Sequence, residues 1–128
     1  MTVLRLGHVN LRAPADVVES LRRFYVDVIG LREGPRPRFR SGSSGHWLYA
    51  GEHDVIHLRV DAQRATEMPH GALDHFALLC AHGDLAATRD RLDSRGIEYT
   101  VDEVEELKQT QLFLHDPAGT AVELTFVC

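Results

Sequence analysis

Cysteine is scarce in this chain. Cys80 and Cys128 are the only two, they lie far apart, and they make neither a C-x-x-C pair nor a metal-ligand spacing. That argues against a disulfide framework, and reduced thiols in a cytoplasmic protein are the expectation. Basic runs are also absent, and the formal net charge is −5, so neither nucleic acid nor an anionic membrane is an expected partner. No apolar stretch approaches the roughly 20 residues of a membrane span. The residues before His8 contain Arg5 and no apolar run of signal-peptide length. With 44% hydrophobic and 26% charged residues over 128 positions, the composition is that of an ordinary soluble domain. A chain of this length buries roughly two-thirds of its unfolded surface and needs neither metal nor disulfide to fold.

What the sequence does have is a repeat. Leu6-Gly7-His8-Val9-Asn10-Leu11 is echoed 67 positions on by Leu73-Asp74-His75-Phe76-Ala77-Leu78. Val55-Ile56-His57-Leu58 is echoed 66 positions on by Ala121-Val122-Glu123-Leu124, and Ile29-Gly30-Leu31 by Arg95-Gly96-Ile97 at the same offset. A repeat of this period is one supersecondary unit used twice.

Each copy reads as βαβββ. In the first, Val3 to Leu11 alternates as a strand with His8 and Asn10 on one face. Pro14 and Asp16 open a helix whose Val17, Leu21, Phe24 and Val28 recur at helical spacing until Gly30 ends it in a left-handed position. Gly34 to Ser44 reads as a loop or ragged edge strand, His46 to Ala50 as a strand, Gly51 to Asp54 as a turn, and Val55 to Val60 as a strand. Asp61 to Gly71 is polar, contains Pro69, and reads as the linker. In the second copy, Leu73 to Cys80 is a strand and Asp84 to Arg95 a helix closed by Gly96. Ile97 to Val101 is extended, with an acidic stretch from Asp102 to Glu106 after it. Gln109 to Leu114 and Ala121 to Val127 are strands, joined by a type I turn at Asp116-Pro117-Ala118-Gly119. The expected fold class is α+β. One domain over residues 1–128 comprises two βαβββ modules, about 1–62 and about 71–128, forming curved half-barrel sheets around a shared cleft. The free edges of such half-barrels favour a homodimer.

The repeat carries residues of metal-ligand type. A lone histidine in an apolar strand is more often a hydrogen-bonded core residue than a ligand. Glu123, set between Val122 and Leu124, is costly inside a core unless a partner compensates its charge. The matched offsets pair His8 with His75 and His57 with Glu123, so a divalent metal held by His8, His57, His75 and Glu123 is the expectation. If His57 is not a ligand, it stands beside the metal as a candidate catalytic acid or base. Strand parity adds Asn10, Arg59 and Thr125 as pocket-lining candidates, with Trp47, Tyr49, Gln109 and Gln111 from neighbouring strands.

Paired βαβββ modules with Gly7-His8-Val9, Phe24-Tyr25, Ile29-Gly30-Leu31, Asp74-His75, and Asp116-Pro117 with Gly119 before Glu123-Leu124 resemble the vicinal oxygen chelate superfamily. That superfamily includes glyoxalase I, extradiol dioxygenases, fosfomycin-modifying transferases and bleomycin-binding proteins. The resemblance spans Leu4 to Phe126. It implies a divalent ion (Fe, Mn, Ni, Zn or Co) at the positions of His8, His75 and Glu123. It also implies a small substrate with vicinal oxygens, and dioxygenase or glyoxalase/lyase-like chemistry. The alternative is non-catalytic drug binding of the bleomycin resistance kind. The chain departs from the glyoxalase pattern at His57, where that enzyme carries a glutamate that also acts as base. A site with one carboxylate and neutral imidazoles is left at +1, which favours an anionic bidentate ligand.

Overall fold

The computed structural model describes residues 1–64 and 71–128. It divides into two compact units, Met1–Thr66 and Glu67–Cys128. The expected linker lies partly outside the described residues, as does His70.

The first unit runs β1 (Val9–Ala13), α1 (Ala15–Arg23), β2 (Arg32–Gly34), β3 (Gly45–Ala50) and β4 (His53–Val60). Its sheet has the order β1-β4-β3-β2, with β1 parallel to β4 and the other pairs antiparallel. Pro14 precedes α1 and Asp16 lies in its first turn, as the sequence predicts. After Arg23 the helix widens into a π-helical segment, Phe24–Ile29, that ends on Gly30 at φ 93°. In a regular α-helix neighbouring residues point about 100° apart; the wider turn lets Phe24 and Tyr25 both be buried, together with Val18, Leu21 and Val28. α1 packs against β4, and the sheet contributes Leu48, Ile56 and Leu58 to this core.

The second unit repeats the plan. It runs β5 (His75–Ala81), α2 (Leu85–Ser94, entered through a 3₁₀ turn at His82–Asp84), β6 (Thr100–Val104), β7 (Gln109–His115) and β8 (Ala121–Val127). The sheet order is β5-β8-β7-β6, again with one parallel pair, β5 with β8. Leu92, Leu112, Leu114, Val122, Leu124 and Phe126 are buried. Asp116 starts the turn before β8: its carbonyl accepts from Gly119 N–H, and its Oδ1 accepts from the amides of Ala118 and Thr120.

Several boundaries differ from the sequence reading. β1 starts at Val9, because its pairing with β4 begins at Val9 opposite Ile56; Met1, Val3, Leu4 and Leu6 are exposed. β5 starts at His75, opposite Ala121. His8 and His75 therefore stand at strand entrances rather than mid-strand. β4 begins two residues earlier than expected, so Asp54 belongs to the strand and not to the turn. Asp102, Glu103 and Val104 are paired in β6, where regular pairing with β7 takes up much of the acidic stretch. Among the described residues, no helix is long and apolar enough to cross a membrane.

Candidate metal centre

In the first unit the geometry follows from the register of β3 and β4. Trp47 lies opposite His57, so their side chains share one face of the sheet. Their rings are stacked, centroids 3.9 Å apart and planes 6° apart. His8, arriving just ahead of β1, stacks on the other face of His57 at 3.7 Å and 16°. Three aromatic planes thus form one column, with His57 in the middle.

Regular alternation would put Asp54, three residues from His57, on the opposite face. The register jumps between Leu48 opposite Ile56 and Tyr49 opposite Asp54, leaving Val55 without a partner. Such a bulge inverts the alternation and re-aims the residue beyond it. Asp54 thereby reaches the face of His57, with Oδ2 2.7 Å from Nε2. His8, Asp54 and His57 each present a possible ligand atom, all within 4.8 Å of one another. Burial is the largest influence on His57 and lowers its pKa, the Asp54 hydrogen bond opposes that, and the charge of His8 adds to the lowering. The same hydrogen bond holds the Asp54 carboxyl below its usual range. A neutral imidazole keeps a lone pair for a metal.

The second unit builds its pair on β5 and β8. His75 Nε2 is 3.0 Å from Glu123 Oε2, and Asp74 takes the other ring nitrogen at 2.7 Å. Glu123 is only 8% exposed, and its Oε1 accepts from the hydroxyl of Thr125, two residues along the same face. The Asp74 hydrogen bond is the largest cause that raises the His75 pKa, with the charge of Glu123 adding to it. A carboxylate on one ring nitrogen is how metal-ligating histidines are oriented; here the other nitrogen is paired directly with Glu123.

The donor types in both groups, imidazole nitrogen beside carboxylate oxygen, fit a divalent ion, and three such donors stand together at His8, Asp54 and His57. In the first unit the near-parallel rings would have to fan apart before both offered lone pairs to one ion. His8 is exposed, and its stacking on His57 is the contact that would have to give.

A cavity of about 230 Å³ adjoins the ring column in the first unit. Asn10, Trp47 and Arg59, all named from sequence, line it together with His8 and His57. The rest of its wall comes from Leu58 of β4 and from the loop after β2, through Arg36, Phe39, Ser41 and Ser43. Tyr49 is turned away: its hydroxyl donates to the Pro35 carbonyl, and Arg32 lies over its ring at 5.1 Å. In the second unit Gln111 stands opposite Thr125, and Gln109 opens β7.

No family model and no curated protein matches this sequence. Solved structures do. A structure described as a glyoxalase family protein of Bacillus anthracis aligns over 100% of this chain and 98% of its own, at 24% identity and a TM-score of 0.78. The glyoxalase/bleomycin resistance protein/dioxygenase domain of Frankia sp. EAN1pec aligns over 99% and 100%, at 20% identity and 0.78. A lactoylglutathione lyase from Agrobacterium tumefaciens aligns over 98% and 95%, at 17% and 0.66. The chain has the glyoxalase/dioxygenase fold. The resemblance to vicinal oxygen chelate proteins read from the repeat is met at the level of fold, including the two modules.

Within this glyoxalase fold, sequence reasoning passed over Asp54, Arg36, Phe39, Ser41 and Ser43. Asp74 enters the sequence reading through the repeat and the Asp74-His75 motif, without a role at the site. The D-x-x-H spacing of Asp54 and His57 is visible in the sequence, but the bulge that makes it productive is not. The loop residues had no periodicity to place them.

Proposed function

We propose that the protein is a divalent-metal-dependent enzyme of dioxygenase or lyase/isomerase type, acting on a small substrate with vicinal oxygens. The observation that carries this reading is the recurrence of ligand-type side chains at equivalent strands of both modules: His8 with His57, and His75 with Glu123. His8, His57, His75 and Glu123 are the proposed ligands. When bound, the ion supplies Lewis-acid stabilisation of an oxyanion. The chain's own contribution is to keep His57 neutral by burial and to fix its ring between Trp47 and His8. Through Asp54 it also holds a proton on or near Nε2, which suits His57 to acid–base work if it is not a ligand. A cytoplasmic homodimer and a small-molecule partner belong to the same reading.

Metal content tests it first, on protein purified without chelator or affinity tag. Retention of a divalent ion, or a rise in Tm on adding Fe, Mn, Ni, Zn or Co, is expected. Less than about a tenth of an equivalent with no thermal shift overturns the reading. Catechols and thiol–ketone adducts, offered with and without oxygen, then separate the chemistries. Oxygen uptake selects dioxygenase and anaerobic turnover selects lyase or isomerase. Tight binding with neither selects a drug-binding protein. Light scattering that gives twice the 14.4 kDa chain mass is the expected result for the dimer.

A further inference from the structure

We infer that the cavity of the first unit is built for a planar, single-ring anion, whose acidic group pairs with Arg36 and whose ring packs among Trp47 and Phe39. The inference rests on the metal-enzyme reading of the same site and narrows its substrate class.

Three observations carry it. The first is charge. The chain is net acidic, yet this cavity is lined by two guanidinium groups, Arg36 and Arg59, and, among the described residues, by no carboxylate. Arg36 is fixed by neutral partners only: it donates to the carbonyl of Ser43 at 3.0 Å and to its hydroxyl at 3.1 Å, and stands over the Phe39 ring at 4.9 Å. Among the described residues Arg36 makes no ion pair, and its Nε–H is buried without an acceptor. A guanidinium held in place by neutral groups keeps its full charge, and each terminal nitrogen, with one N–H on Ser43, carries a second N–H that can meet a carboxylate.

The second observation is shape. His57 covers one face of Trp47, while Phe39 stands on Trp47 at 6.3 Å with the planes inclined at 48°. Trp47 and Phe39 thus give the cavity wall adjoining aromatic surfaces against which a flat ring can pack. The third is size. About 230 Å³ lined by this unit is room for one ring in contact with Arg36 and Trp47. Ser41 and Ser43 add hydroxyls that can bond the substituents of such a ring.

Trp47 is the only tryptophan, so its fluorescence reports on this cavity alone. Benzoate, benzamide, cyclohexanecarboxylate and inorganic phosphate are titrated into the full chain, both as purified and after chelation. Benzoate is expected to bind about tenfold or more tighter than benzamide, one charge-assisted contact's worth of discrimination. It is also expected to bind tighter than the non-planar acid and phosphate. Arg36→Met should bring the benzoate-to-benzamide ratio close to one in a chain that still melts cooperatively, and Arg36→Lys should restore part of it. Equal binding of benzoate and benzamide, or a ratio untouched by Arg36→Met, overturns the inference. Phosphate or cyclohexanecarboxylate binding as well as benzoate overturns its planar part. Failure of the metal reading shows separately: a metal-free chain that still selects benzoate through Arg36 keeps this inference, while a metal-loaded chain indifferent to Arg36 loses only this one.

Discussion

Asp54 holds Nε2 of His57 at 2.7 Å across three positions of sequence because β4 contains one residue, Val55, that β3 does not oppose. The bulge gives the first unit a carboxylate that its strand parity would otherwise deny it. β7 and β8 pair without interruption, and the second unit places its carboxylate, Glu123, by parity alone. The two modules thus bring a carboxylate to histidine by different means.

If Asp54 orients His57 toward a metal, Asp54→Asn should weaken divalent-metal binding by about 10–100-fold, the usual effect of losing such a supporting partner. Asp54 is part-exposed, so Tm of the metal-free chain should hardly change. Competition against a chromophoric chelator measures the affinity. An unchanged affinity would mean that Asp54 merely satisfies a half-buried ring.

His75 and Glu123 form a coupled pair. In chelator, His75→Ala leaves a buried carboxylate with only the Thr125 hydroxyl, and should cost about 1–3 kcal/mol in urea unfolding. The double variant His75→Ala/Glu123→Gln should recover part of that, because it removes the charge left behind. The pH dependence has a definite sign. The folded-state pKa of His75 is raised, so its stabilisation is fully present below the ordinary value of 6.5 and fades as pH rises through the raised one. The penalty of His75→Ala should therefore be larger at about pH 5.5 than at about pH 8.5. A pH-independent penalty would assign it to packing alone.

Periodicity and the repeat were enough to read the order of elements, the helix stop at Gly30 and the turn from Asp116 to Gly119. These depend on local pattern and on single-residue backbone preferences. Strand entrances are not legible in the sequence because a strand begins where its partner begins, and the partner of Val9 is Ile56, far away in sequence. The candidate ligands His8, His57, His75 and Glu123 were named because each stands in a repeated apolar frame. Asp54 was not, since a bulge is a property of two strands together and strict alternation puts that residue on the wrong face. Tyr49 shares parity with Trp47, yet its hydroxyl goes to Pro35, a loop contact that no alternation rule contains.

Gly45 and Gly42 flank the same loop and should respond very differently to alanine. A Cβ at Gly45 would sit 1.8 Å from the Leu58 carbonyl oxygen, inside the β3–β4 ladder and next to the wall of the cavity. Gly42 has φ +71° with nothing within 4 Å of its Cβ position. Gly45→Ala should lose more than about 3 kcal/mol, or fail to fold, through forced separation of the two strands. Gly42→Ala should lose only about 1–2 kcal/mol of left-handed strain. Thermal melts of the two variants decide it, and similar losses would mean that β3 and β4 part more easily than their contact indicates.

The two thiols should separate by rate. Cys128 is exposed, whereas Cys80 is half-buried on β5. Burial is the first cause that raises the Cys80 pKa, and the charge of Asp84 raises it further. Only the thiolate reacts with iodoacetamide, so a raised pKa means less reactive species at any given pH below it. At about pH 8 Cys128 should be alkylated first, with Cys80 following at least about tenfold more slowly, which mass spectrometry of a quenched time course resolves. Cys80 labelling should accelerate toward high pH, with a midpoint above the usual thiol range. Asp84→Asn should move that midpoint down by the smaller, electrostatic share, leaving the larger share from burial in place. If Asp84→Asn instead abolished the whole displacement, burial would not be the dominant cause. If both thiols reacted at one rate near neutrality, the β5 backbone around Cys80 would be opening to solvent faster than the reagent attacks.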